Sequence, residues 1–106
     1  MNRIACKFGG SSVADSRQFQ KVRDILAKDS RRRIIVVSAP GKRHSSEAKL
    51  TDLLYLCHDL SSKGMSIDSS FALIRDRFLE IEKDLNLGSG LAEELEDFRQ
   101  KILQGT

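Results

Sequence analysis

Two short apolar segments and four amphipathic segments follow one another along the chain. The first apolar run, residues 4–8, stops at a pair of glycines and predicts a buried strand. Residues 16–28 have apolar positions three and four apart, which predicts a helix with Asp15 or Ser16 as its N-cap. The β-branched run 34–37 predicts a parallel strand covered on both faces. Strand, helix and strand together predict one right-handed βαβ unit.

The second half of the chain predicts three helices. Residues 38–49 are small, polar and basic, which predicts an exposed loop. A helix is expected from about Thr51, with Thr51 or Asp52 as its N-cap. Two further apolar stripes lie on either side of Gly88-Ser89-Gly90. Their spacing predicts an antiparallel helical hairpin over about residues 66–104.

Length and composition indicate one modest globular domain. The chain has 106 residues, 40% hydrophobic and 31% charged, with one proline. Its apolar runs fall far short of the ~20 residues of a membrane span, so we expect neither a span nor a signal peptide. The net charge of +3 is too small to indicate nucleic-acid binding by itself. Cys6 and Cys57 are too few for a secreted disulfide framework, so we expect a reduced, cytoplasmic setting.

The junction between the first strand and the first helix carries the strongest candidate for chemistry. Lys7 lies near the strand end, Gly9 and Gly10 follow, and Ser11 and Ser12 supply two hydroxyls. Glycines let backbone N–H groups approach an anion, a helix N-terminus adds the positive end of its dipole, and lysine adds a full charge. The pattern therefore allows a phosphate site. Its spacing matches neither the P-loop nor the dinucleotide motif, and a plain strand-to-helix turn is the alternative.

Other polar candidates have simpler explanations. Thr51 can serve as a helix N-cap, and Ser38 can satisfy backbone groups at a strand end. The basic clusters at residues 31–33 and 42–44 lack interleaved aromatic residues, which is more typical of solvated loops than of a nucleic-acid interface. The two histidines have no cysteine or acidic partners at ligand spacing. We therefore expect no metal site built from protein ligands.

Two sequence blocks resemble the aspartokinases. The first block resembles the family pattern Lys-Phe-Gly-Gly-Ser/Thr-Ser and runs Lys7-Phe8-Gly9-Gly10-Ser11-Ser12-Val13-Ala14-Asp15. The second comprises residues 36–42 and 49–54, in the order that the family has. The resemblance implies an α/β chain, the start of a three-layer αβα amino-acid-kinase-like fold, here one parallel βαβ unit followed by three helices. Residues 1–106 would be the N-terminal part of an incomplete catalytic domain.

The same resemblance implies a reaction. The γ-phosphoryl group of ATP, bound with Mg²⁺, would pass to the side-chain carboxylate of L-aspartate, the first step toward lysine, threonine and methionine. The residues assigned to ATP form one continuous segment: Lys7, Phe8, Gly9, Gly10, Ser11 and Ser12. Lys7 would also be the catalytic residue, and Ser38 and Thr51 would bind aspartate. A carboxylate is already a nucleophile, so alignment and charge neutralisation are what such catalysis needs.

The resemblance covers only the opening part of a kinase domain. The family's Ser-x-Gly-Glu block, its later arginine and aspartate and its adenine pocket have no counterpart in these residues. We therefore expect a fragment that is inactive alone, from a cytoplasmic homo-oligomer that takes aspartate and ATP and binds neither nucleic acid nor membrane. Two alternatives stay open: a noncatalytic helical interaction module and, less favoured, a small basic nucleic-acid-binding domain.

Overall fold

A computed structural model describes residues 2–105 of the chain. In that range two strands and four helices follow in the order β1 (Ile4–Phe8), α1 (Ser16–Ala27), β2 (Arg32–Val37), α2 (Leu50–Ser62), α3 (Asp68–Leu85) and α4 (Leu91–Gln104). A short 3₁₀ turn, Gly10–Val13, lies between β1 and α1. This order confirms the predicted α/β class. The chain divides into two compact units, the first ending at Glu47 and the second beginning at Ala48.

In the first unit, β1 and β2 pair as parallel strands, with Lys7 opposite Val36. A small core forms on one side of β1, where the buried residues Phe8, Val13 and Val22 cluster and half-buried apolar side chains of β1 and α1 pack against them. Successive side chains of a strand point to opposite faces. Lys7 therefore lies on the sheet face opposite to Phe8.

The second strand is longer and more exposed than the sequence predicts. It begins at Arg32, two residues before the β-branched run, and Ile34 and Val37 are 48% and 56% exposed. The expectation of a strand covered on both faces is therefore wrong for residues 2–105. A sheet whose described part has two strands provides no neighbour on the outer side of β2, and the small core lies against β1.

The first helix of each unit begins in a different way: α1 has a side-chain N-cap and α2 has none. Asp15 caps α1 as predicted, because its carboxylate accepts a hydrogen bond from the Gln18 N–H at 3.0 Å. Helix α2 is present as predicted, but the prediction of Thr51 or Asp52 as its N-cap is wrong. Lys49 is its N-cap without any side-chain hydrogen bond, and Thr51 lies inside the first turn. Leu50 is buried with other core residues of this unit, and its packing requires residue 50 to be helical already.

The second unit packs α2, α3 and α4 around one core. Its buried residues are Leu50, Leu53, Cys57, Ile67, Phe71 and Ile74. Asp68, the first residue of α3, pairs with Arg99 of α4 at 3.6 Å, and Phe71 contacts Phe98 in the middle of α4, with 6.3 Å between ring centroids. Because Leu91, the first residue of α4, instead lies beside Glu82 near the end of α3, the two helices run antiparallel. None of the helices in residues 2–105 is long and apolar enough to cross a bilayer.

A carboxylate joins α3 to α4 at the other end of this pair. Glu82 accepts hydrogen bonds from the Ser89 hydroxyl and from the Leu91 N–H, the latter at 3.1 Å. These bonds, from the Ser89 hydroxyl first, lower the pKa of the Glu82 carboxyl. Gly90, the N-cap of α4, makes no side-chain cap. Glu82 therefore supplies from α3 the capping group that α4 lacks.

Candidate functional site

The carboxyl ends of β1 and β2 bring two loops of the first unit together. The Ser38 N–H donates a hydrogen bond to the Phe8 carbonyl oxygen at 3.1 Å, and the Gly41 N–H donates to the Gly10 carbonyl oxygen at 2.7 Å. The predicted phosphate site, residues 9–12, is called the glycine turn below. It lies directly against residues 38–41. Open α/β sheets bind ligands at this edge.

Gly10 and Gly41 are glycines because their backbones meet. A Cβ on Gly10 would lie 3.1 Å from the Ala39 carbonyl oxygen. A Cβ on Gly41 would lie 2.7 Å from the Gly10 carbonyl carbon, closer than real Cβ atoms approach. Both contacts are with backbone atoms, which cannot swing aside as a side chain could. The two loops therefore hold this spacing only with glycine at position 41, whereas a methyl group at position 10 would need its neighbours to move by a few tenths of an ångström.

Gly9 has no such internal reason. Its φ of −73° and ψ of 174° are extended values that any residue adopts. A Cβ built on Gly9 would have no heavy atom within 4 Å among the described residues. The backbone at this position is thus bare and faces open space. That is the geometry that a close approach by a phosphate requires.

The helix nearest the glycines is not the one predicted. The 3₁₀ turn Gly10–Val13 follows Gly9 directly, and the Ser12 N–H donates to the Gly9 carbonyl oxygen at 3.0 Å. Helix α1 begins only at Ser16, and the Asp15 carboxylate already occupies its N-terminus. The expectation that the α1 N-terminus faces an anion is therefore wrong. The N–H groups of Gly10 and Ser11 instead open the turn nearest the glycines, and N–H groups in that position have no acceptor within the turn.

The other residues of the segment assigned to ATP, residues 7–12, differ in how exposed their side chains are. Lys7 and Ser11 are exposed, and Ser12 is half-buried. Phe8 is different, because its side chain is 9% exposed and belongs to the core of the first unit. Its carbonyl oxygen accepts the Ser38 N–H. The side chain of Phe8 therefore packs in the core, and the contact of residue 8 with ATP stays a prediction.

The two residues expected to bind aspartate lie in different units. Ser38 is exposed, follows β2 directly and lies beside the glycine turn. Thr51 is exposed in the first turn of α2, in the second unit. Thr51, Leu54, Tyr55 and His58 line a cavity of about 360 Å³ on this helix. The structure thus brings Ser38 to the predicted phosphate site and places Thr51 on a cavity of its own unit.

One arginine of each basic cluster is engaged in a local ion pair. The Arg31 guanidinium donates to the Asp29 carboxylate at 2.7 and 3.0 Å, and holds the pKa of that carboxyl well below its usual range. Arg43 binds the Glu47 carboxylate in the same manner, through its backbone N–H and its guanidinium. These contacts favour the interpretation of both clusters as structural loop charge over a nucleic-acid interface.

A metal site from side chains is not found in the described part of the chain. Residues 2–105 contain no group of three or more His, Cys, Asp and Glu side chains that could hold an ion. The sequence pattern placed Gly41 only within the exposed loop 38–49. Its contact with Gly10 joins residues that are 31 positions apart (41 minus 10). No local pattern signals such a contact.

Comparisons with known proteins agree with this geometry. Residues 2–101 match the family model of the amino acid kinase family. The chain is 36% identical over 99 residues to Aspartokinase 3 of Bacillus subtilis (strain 168), covering 93% of this chain and 22% of that protein. A crystal structure of Clostridium acetobutylicum aspartate kinase matches with a TM-score of 0.97 and 43% identity, over 100% of this chain and 24% of that one.

The fold and the family match together define a kinase-type α/β domain, and the chain belongs to the amino acid kinase family. Within that family it is similar to the aspartokinases, as the two sequence blocks indicated. The chain spans less than a quarter of the length of these two relatives.

Proposed function

We propose that this chain supplies the phosphate-binding and part of the aspartate-binding contacts of an aspartokinase. The reaction is transfer of the γ-phosphoryl group of ATP to the side-chain carboxylate of L-aspartate. The observation that carries the proposal is the glycine turn, with bare backbone at Gly9 beside Ser38 at the carboxyl ends of both strands. The similarity to two aspartokinases supports the choice of substrate.

The phosphates of ATP would bind to the backbone of the glycine turn. The N–H groups of Gly10 and Ser11 open the turn and can donate to phosphate oxygens. Gly9 presents no side chain that would hold the phosphates away. Lys7, two residues earlier and exposed, brings a positive charge to the same strand end. Donors of this kind are already oriented before the reaction, so they stabilise charge without reorganisation.

Phosphoryl transfer needs little covalent help from the protein. The aspartate carboxylate attacks the γ-phosphorus, the bond to the bridging oxygen breaks, and ADP leaves with that electron pair. Lys7 neutralises negative charge on the transferred group, and the turn holds the phosphates in line with the attacking oxygen. Mg²⁺ arrives bound to the ATP phosphates as part of the substrate. No side chain of this chain has to remove a proton.

Ser38 and Thr51 are proposed to hydrogen-bond aspartate. Ser38 uses its N–H on the Phe8 carbonyl, which fixes its backbone at the strand end beside the turn. Thr51 does not cap α2, so the simpler explanation for its hydroxyl no longer applies. Its role as an aspartate contact is carried by the family resemblance. The cytoplasmic setting, the homo-oligomer and the place at the start of lysine, threonine and methionine synthesis belong to the same proposal.

Aspartyl phosphate formation by the full-length protein that contains this chain tests the proposal. Activity is measured with ATP, Mg²⁺ and L-aspartate, and hydroxylamine traps the acyl phosphate. Replacing Lys7 with alanine should lower turnover by about 100- to 1,000-fold, because one charge-stabilising donor contributes roughly 2.7–4 kcal/mol to the barrier. Lys21→Ala, on the exposed side of α1, is the matched control and should keep full activity.

Three results would count against the proposal. No acyl phosphate with the unmodified protein would exclude the reaction. A Lys7→Ala variant within threefold of the unmodified rate would exclude the role of Lys7. A reading frame that does not continue past Thr106 into a Ser-x-Gly-Glu block would remove the rest of the kinase site.

A further inference from the structure

Gly41 contacts one particular peptide group of the glycine turn from two directions. Its N–H donates to the Gly10 carbonyl oxygen at 2.7 Å. A Cβ on Gly41 would lie 2.7 Å from the Gly10 carbonyl carbon, 2.8 Å from its oxygen and 2.9 Å from the Ser11 nitrogen. These three atoms belong to the single peptide group that joins Gly10 to Ser11. Gly41 therefore both bonds to this peptide and packs against it.

The contact determines where the Ser11 N–H points. A trans peptide group is planar, and its C=O and N–H point in opposite directions. Holding the Gly10 oxygen on Gly41 therefore turns the Ser11 N–H away from residues 38–41. We propose that Gly41 is a positioning residue for phosphoryl transfer, which aims the Ser11 N–H at an ATP phosphate by fixing the Gly10–Ser11 peptide. This inference rests on the proposed function.

The requirement for glycine at position 41 is one of space. Positive φ values occur at four other glycines of the described chain and not at Gly41, so a left-handed backbone is not the reason for this glycine. A methyl group at this position would meet backbone atoms below 3.0 Å, so the Gly41 backbone and the Gly10–Ser11 peptide must move apart. The predicted damage is thus a displaced N–H donor at the phosphate site, with the strand pairing of β1 and β2 unchanged.

A phosphate-only ligand and an adenine-only ligand separate this role from general damage. Inorganic tripolyphosphate and adenosine are measured as competitive inhibitors against ATP, in the full-length protein and its Gly41→Ala variant. Tripolyphosphate should bind at least about tenfold more weakly to the variant, the size of one charge-assisted hydrogen bond. Adenosine should bind within about twofold, since it makes no phosphate contact. Hydrogen exchange at residues 9–12 should be faster in the variant.

Two further variants complete the design. Ser45→Ala changes an exposed residue of the same loop and should alter neither inhibitor. In Gly10→Ala the added Cβ would lie 3.1 Å from the Ala39 carbonyl oxygen and 3.3 Å from the Gly41 Cα, so it crowds the contact between the two loops less than Gly41→Ala does. Gly10→Ala should therefore weaken tripolyphosphate binding less than Gly41→Ala. Gly10→Ala also carries the test if Gly41→Ala does not fold.

The outcomes separate the inference from the proposed function. If the unmodified protein forms no aspartyl phosphate, both are overturned. If it is active and Gly41→Ala binds tripolyphosphate within twofold of the unmodified protein, the positioning role alone is overturned. Equal weakening of tripolyphosphate and adenosine also overturns it, because that result indicates general damage. Selective loss of tripolyphosphate supports it.

Discussion

Replacing Gly9 with alanine should make the fold more stable and ATP binding weaker. The backbone at this position has extended φ and ψ values that alanine adopts without strain, and the added methyl group would meet no atom within 4 Å. A compatible Gly→Ala change stabilises by about 0.4–1 kcal/mol, because it reduces the freedom of the unfolded chain. In the longer full-length protein that corresponds to a rise in Tm of at most about 2–4 °C.

Binding should change in the opposite direction. The methyl group would occupy the space in which we propose that a phosphate approaches the turn, so the KM for ATP should rise at least about tenfold, the loss of one charge-assisted hydrogen bond. Thermal unfolding and steady-state kinetics on the same full-length preparation measure both effects. Gly10→Ala is the contrasting variant. Its methyl group would crowd the Ala39 carbonyl oxygen at 3.1 Å, so it should lose stability.

Either of two results would refute the reasoning about Gly9. A KM for ATP within twofold of the unmodified value would show that phosphate does not approach this glycine. A lower Tm for Gly9→Ala would show that the backbone there is not the extended, uncrowded one described. A stable variant with impaired ATP binding is expected from a functional glycine, because a structural glycine loses stability when it is replaced.

Three further outcomes are expected. Thr51→Val should raise the KM for aspartate about two- to tenfold, because it removes one neutral hydrogen bond, whereas Thr51→Ser should leave the KM unchanged. Equal KM values for Thr51→Val and the unmodified protein would exclude the contact. Folding lowers the pKa of Glu82. The ionised carboxylate therefore stabilises the fold fully at pH values above the ordinary pKa of 4.5, and this stabilisation is lost as the pH falls through the lower pKa of the folded state. Urea unfolding should therefore show Glu82→Gln less stable at pH 7, with a difference that shrinks in acid, while a constant difference would contradict this. The 106-residue chain should self-associate through β2, whose apolar side chains are about half exposed. Light scattering over a concentration series measures this association, and a monomer at every concentration would contradict it.

Local signals in the sequence predicted the fold well. The Asp15 cap and the start of α1 depend on residues within one turn of each other, and the structure has both as predicted. The break between α3 and α4 was recognised from its glycines, and α3 ends there with Asn86 in the left-handed conformation. Propensity, periodicity and capping act over a few residues, so a single sequence carries them.

Features that depend on distant residues escaped prediction. Lys49 replaces the expected caps of α2 because the burial of Leu50 in a three-helix core decides where that helix begins. The capping of α4 by Glu82 joins residues of two helices. The β2 residues form a pattern that suits burial on both faces, but the structure leaves them about half exposed. Hydrophobic patterning indicates the environment that a segment prefers and cannot show what surrounds it.

The glycines show how structure adds to the sequence argument for the site. All seven lie in the described chain, and as letters in the sequence they are equivalent. At six of them the structure of the chain itself explains why the residue is glycine, through either a positive φ or a Cβ position closer than 3.5 Å to backbone atoms. These six are Gly10, Gly41, Gly64, Gly88, Gly90 and Gly105. Gly9 has neither, so nothing inside the chain requires glycine there. A bare backbone at this position is what the proposed approach of the ATP phosphates needs.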